Sequence, residues 1–245
     1  MNRNTFNCIY SLFKENIEAY IANGCFNNFI NVNFILNTLT HITLKKDYVL
    51  DACEVKEDYY RKGEFYMGLY TCKDNANIDY CPKLKPIRNS LLKKLGLQKC
   101  EYEFQPKYSD NMYISHAIPS EAYHELPSLF CNMVIPFTEE GIWEAFMLDW
   151  SSVLMPKFGH GNYINKKLIV NEEDFLAIKG TYVNEGLFPK IIINDTIANL
   201  SYCYWSNWEG LVRIDRQIRK DGNTIKWEGG SHKKVLIKYD CGRRF

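Results

Sequence analysis

Residues 202–216 read YCYWSNWEGLVRIDR, an alternating aromatic run, a polar break ending in glycine, and an alternating aliphatic and charged run. That pattern is two strands joined by a turn. Alternation puts Cys203 and Trp205 on one face and Tyr202 and Tyr204 on the other. Trp208 lies past the bend, and Gly210 permits the turn. On the second strand Val212, Ile214 and Ile218 point inward, and Arg213, Asp215, Gln217 and Arg219 point outward. Arg216 falls on the apolar side, where a guanidinium needs a partner; Glu209 is the candidate.

The same period extends outward from this ribbon. KIIIND, IANLSYCYW, GLVRIDRQIRK, NTIKW and KVLIKYD, divided by NDT, DGN and GGS turn signals, predict a four- or five-stranded antiparallel meander. Upstream, TEEGIWEAFMLDWSSVLMP predicts a helix capped by Thr138 and closed by Pro156, with an apolar stripe of Ile142, Trp143, Phe146, Met147, Trp150, Val153 and Leu154. YVLDACEV and EFYMGLYTC, on either side of a charged stretch with Gly63, predict a β-hairpin. Phe6, Ile9, Tyr10, Phe13, Ile17, Tyr20 and Ile21 recur at helical spacing before Gly24, and a second helix is expected from Asn27 to Leu39. IRNSLLKKLG reads as a short helix and CEYEF as a strand. The fold class is therefore α+β: N-terminal helices and a β-hairpin, a central helix, and a C-terminal antiparallel β-meander. Residues 1–245 read as a single domain with a weak subdivision near 105–112, at QPKYSDN.

Composition excludes several classes. Lys+Arg 30 against Asp+Glu 29 gives a net charge of +1, so no whole-protein field draws the chain to nucleic acid or an anionic membrane. The longest uncharged run, residues 19–44, carries six asparagines, which hydrocarbon does not tolerate, so no membrane span is expected. The N-terminal stretch lacks the apolar length and cleavage site of an export signal, which leads to a cytoplasmic expectation. Nine cysteines without a C-x-x-C pair are then expected to be reduced. Aromatics are the outlier, at Phe 14, Tyr 17 and Trp 5.

The candidate binding residues are Tyr204, Trp205, Trp208, Arg213 and Arg216. Flat rings beside bidentate donors suit a protein partner or a small anionic ligand. The plainer alternative is that the tryptophans fill a core beneath a helix and the arginines are solvated. From residue 206 onward there are ten basic and five acidic side chains, a surplus whose interspersed signs equally fit simple solvation. No nucleic-acid motif accompanies them.

Two enzyme readings are the alternative class. His160, flanked by Gly159 and Gly161, with Asp149 on the central helix offers a hydrolase site, although no G-x-S-x-G elbow is present. His116, Glu121 and His124 in HAIPSEAYHELPS offer metal ligands at a spacing that matches no zincin. Neither G-x-G-x-x-G nor a Walker A loop occurs, so no cofactor is expected. No pattern specifies an oligomeric state. With catalytic motifs missing and aromatics abundant, the residues favour a non-enzymatic recognition protein.

Overall fold

An extended strand presents backbone donors and acceptors along its edges, and in the computed structural model every strand of residues 190–237 is paired, the two long ones on both sides. The structure describes residues 36, 38–56, 65–73, 114–119, 129–154, 166–178 and 186–239. In chain order the described elements are β1 (Thr43–Leu44), β2 (Tyr48–Lys56), β3 (Phe65–Lys73), β4 (Ile114–Pro119), β5 (Met133–Val134), α1 (Glu139–Leu154), β6 (Lys167–Ile169), α2 (Glu172–Leu176), β7 (Lys190–Asn194), β8 (Ile197–Ser206), β9 (Gly210–Asp221), β10 (Thr224–Trp227) and β11 (His232–Ile237). This is mostly strand with few helices, compatible with an α+β architecture. The helix expected over residues 6–21, nearly all of the one from Asn27 to Leu39, the helix in 87–96, the strand in 100–104, Pro156 and the 105–112 boundary lie outside the described residues.

The expected hairpin is present: β2 pairs antiparallel with β3 from Tyr48↔Lys73 to Lys56↔Phe65. β4 then adds to β2 in parallel, a pairing no local pattern announces. β7, β8, β9 and β10 follow one another as antiparallel neighbours. Their two-residue turns place a positive φ at Asp195 (48°) and Gly222 (59°), residue types that tolerate the left-handed region. The meander stops there. β11 does not pair with β10 but returns to β9, register His232↔Asp215 to Ile237↔Leu211. β6 joins β8 at Lys167↔Trp205 to Ile169↔Cys203. The physical reason is length: β8 and β9 have 10 and 12 residues, whereas their partners have 3 to 6, so two short strands share each outer edge of one long ribbon.

The central helix starts as its sequence dictates. Thr138 Oγ1 accepts the Gly141 N–H at 3.2 Å, and Glu139 and Glu140 occupy the positive first turn. It differs from expectation in burial: residues 141–148 and Trp150 are all buried, not a stripe alone. α1 is covered on more than one side. One aromatic row, Trp143–Phe146–Trp150, meets Tyr202 and Tyr204 of β8 at centroid distances of 4.6 to 5.6 Å, while Leu50, Leu69, Leu39, Ile42, Phe130 and Met133 complete the same core. A helix apolar nearly all round is the form that such enclosure requires.

Enclosure also explains Gly141. A Cβ there would lie 2.3 Å from the Pro136 carbonyl oxygen. Alanine in a helix normally stabilises by about 1 kcal/mol over glycine. Here Gly141→Ala is expected to lower stability by about 1–3 kcal/mol, read as a lower urea midpoint at unchanged m. A raised midpoint would refute the close approach.

Among the described residues Cys131 and Cys203 are free thiols, and no helix is long and apolar enough to cross a membrane.

Candidate functional site

Strand register divides the sequence-selected residues between the two faces of the ribbon. Tyr204 and Arg216 face α1, as their alternation required. Tyr204 is only 4% exposed and donates its hydroxyl to Glu209 Oε2 at 2.7 Å. Burial and the Glu209 carboxylate raise the Tyr204 hydroxyl far above its ordinary range. Burial works to raise Glu209 too, yet its bonds from Lys233 and Tyr204 hold that carboxyl below the usual range. Tyr204 is thus a fixed part of the core with its one polar atom satisfied.

Arg216 does not pair with Glu209. Its Nη1 lies 3.5 Å from Asp149 Oδ2 on α1, and its guanidinium sits 4.4 Å from the centre of the Trp227 ring. Each side chain of the pair keeps a little over a quarter of its surface exposed, 27% for Arg216 and 28% for Asp149. Burial raises the Asp149 carboxyl, and Arg216 opposes the rise. Burial likewise lifts the nearby Tyr202 hydroxyl to about 12. Asp149, selected for hydrolysis, and Arg216, selected for binding, are therefore partners of one another. Among the described residues the indole N–H groups of Trp143, Trp150 and Trp227 are buried without a hydrogen-bond acceptor; Trp150 meets Tyr202 edge-on and Trp227 meets Phe130 edge-on.

The opposite, outer face carries Trp205 and Arg213. Arg213 Nε and Nη2 each donate to Asp215 Oδ1 at 3.1 Å, and Nη2 also reaches Ser201 Oγ at 3.4 Å. Ser201 donates to the same carboxylate oxygen at 2.5 Å. Burial acts to raise Asp215, but the Ser201 and Arg213 hydrogen bonds outweigh it and keep the carboxyl low. Trp205 is half-buried over Cys203, Leu211 and Ile237, meets Tyr239 edge-on at 5.2 Å, and donates its indole N–H to Asn207 Oδ1 at 3.0 Å. Cys203 beneath it is an interior thiol, pushed up to about 11 by burial.

Trp208 occupies the tip between the faces. The wholly buried Ser206 hydroxyl accepts the N–H groups of Trp208 and Glu209 at 3.1 and 3.4 Å, which fixes the turn. The indole is left 46% exposed. The five chosen residues are accordingly spread over an inner face, an outer face and a tip. Trp205 joins Tyr239, and Arg213 joins Asp215 and Ser201; Tyr204 and Arg216 are on the far side of the sheet. Tyr239 was not singled out because its contact with Trp205 spans 34 positions and comes only from the return of β11.

His116 lies on β4; Glu121, His124 and His160 are outside the described residues. Among the described residues no group of three His, Cys, Asp or Glu side chains is arranged to hold a metal ion. One carboxylate cluster escaped the sequence reading altogether. Glu144 on α1 accepts from Thr40 N (2.9 Å), Thr40 Oγ1 (3.0 Å) and His41 Nδ1 (2.9 Å) at Oε1, and from His41 N (2.8 Å) and Ile42 N (3.2 Å) at Oε2. It ties a connecting segment to the helix. No family model matches the chain, and no curated protein or solved structure matches it.

Proposed function

We propose that this chain is a non-enzymatic recognition protein that holds a protein partner through the tip and outer end of the β8–β9 ribbon, with Trp208, Trp205 and Tyr239 as apolar contacts and Arg213 as the polar one. The observation that carries the reading is the exposure of Trp208: a tryptophan tip 46% exposed on a turn locked by a buried serine. Large exposed aromatics on rigid supports are the side chains that concentrate binding free energy at protein interfaces. Arg213 supports it. Asp215 and Ser201 fix its Nε and Nη2, so the guanidinium is held in place, 36% exposed, for an incoming carboxylate. Open placement on a tip and a sheet face favours a macromolecular partner over an enclosed small anion.

Trp208→Ala tests it. Its side chain is 46% exposed, so the free energy of unfolding is expected to change by no more than about 0.5 kcal/mol. Recovery of a bound partner in affinity capture is expected to fall roughly 10- to 30-fold, the loss of a hot-spot tryptophan. Arg213→Ala is expected to weaken capture by a smaller factor. Undiminished capture by Trp208→Ala would remove the reading.

A further inference from the structure

We infer that the partner presents an acidic surface, whose carboxylates dock on two cation pairs of the outer sheet face, Arg213 with Lys234 and Arg219 with Lys226. This names the partner chemistry of the recognition reading and rests on it.

The pairs follow from register. Lys234 is directly opposite Arg213 across β11 and β9, and Lys226 is directly opposite Arg219 across β10 and β9. Directly opposed residues share a face, and like charges there destabilise an antiparallel pair. Each pair holds two cations and one carboxylate: Asp215 bonds Arg213, and Glu228 bonds Arg219 Nε at 2.6 Å. Lys226 and Lys234 are exposed, and among the described residues neither forms an ion pair. Each pair therefore keeps one uncompensated positive charge facing water.

The pairs are six positions apart on β9, roughly 20 Å along a strand. Between them the same face carries the half-buried Asn199, Ser201 and Asp215 and the exposed Gln217 and Ile192. A phosphate backbone carries negative charge at every step and would meet Asp215 and Glu228 as well as the lysines. A protein surface can set carboxylates against the two cation pairs and donors between them, so the interleaved signs select an acidic protein.

The test uses labelled extended peptides of identical composition with two Glu-Glu pairs either six positions apart or adjacent, followed by anisotropy on the full chain. The widely spaced peptide is expected to bind about 5-fold tighter, and Lys226→Glu or Lys234→Glu to weaken it by about 5-fold each, with most of the binding lost as salt rises from about 50 to about 300 mM. Lys226→Gln and Lys234→Gln are expected to show intermediate losses, and thermal midpoints of all four variants confirm folding. Equal binding of the two peptides, indifference to the charge reversals, or tighter binding of a single-stranded oligonucleotide would each overturn the inference. Partner capture separates the two claims. If Trp208→Ala loses the partner while both lysine reversals keep it, the recognition reading stands and the acidic-surface inference falls. If Trp208→Ala keeps the partner, the recognition reading itself falls.

Discussion

Gly210→Ala is expected to destabilise the protein by about 3 kcal/mol or more, the combined effect of left-handed strain and a backbone clash. Gly210 has φ +87°, a conformation that L side chains rarely adopt. An added Cβ would also lie 2.0 Å from the Ile237 carbonyl oxygen and 2.8 Å from the Tyr239 nitrogen. Neither atom belongs to a flexible side chain, so β11 must move away from β9. The expected signature is a lowered urea midpoint together with faster amide exchange in residues 232–237. Gly222→Ala is the internal control. At φ +59° with nothing within 4 Å, it carries strain alone and is expected to cost only about 1 kcal/mol. Equal losses at the two glycines would show that the β11 contact is not close.

Glu144→Ala is expected to have a comparable effect, about 3 kcal/mol, because it strands several donors that the carboxylate now satisfies. The side chain is only 7% exposed and receives five hydrogen bonds from residues 40–42. Glu144→Gln keeps one acceptor but turns an NH2 group toward backbone N–H donors, so about half the loss is expected. The pH dependence has a defined sign. Burial acts to raise the Glu144 carboxyl, but the bonds from Thr40 and His41 outweigh it and hold its folded-state pKa below the ordinary range. The contribution is therefore present above the unfolded value of about 4.3 and disappears as pH falls through the lower folded value. Stability of the wild type is expected to drop more steeply than that of Glu144→Gln between about pH 5 and pH 3. Parallel curves would show that the carboxylate is not linked to folding.

Local rules carried much of the C-terminal half. Alternation through residues 202–219 predicted which side chains share a face, because a strand's two faces are set by its own period. Thr138 announced the helix start for the same reason, since a cap and its target are three residues apart. What the sequence hid depends on contacts between distant segments. Asp149 meets Arg216 across 67 positions, so the nearby Glu209 looked like the natural partner. The return of β11 to β9 left no trace in its own residues, since an exposed edge strand reads the same beside either neighbour. β6 has three residues, too few for a period. Glu144 was invisible for another reason: its partners are mainly backbone N–H groups, which every non-proline residue possesses.

The candidate binding residues were legible one by one but not as an arrangement. Parity separated Tyr204 from Trp205, and the same rule already placed Arg216 opposite Arg213. The opposition of Lys226 and Lys234 to arginines required knowing which strands pair and in what register.

The all-round burial of α1 bears on how the chain is made. Trp143, Phe146 and Trp150 leave the ribosome well before the strand that meets them, since β8, which carries Tyr202 and Tyr204, ends about 50 residues after the helix does. At ordinary synthesis rates that interval is about 3–10 s, long enough for a nascent apolar helix to find wrong partners. Soluble yield is accordingly expected to respond to translation speed and to chaperones that hold hydrophobic segments, more strongly than the finished molecule's equilibrium stability would suggest.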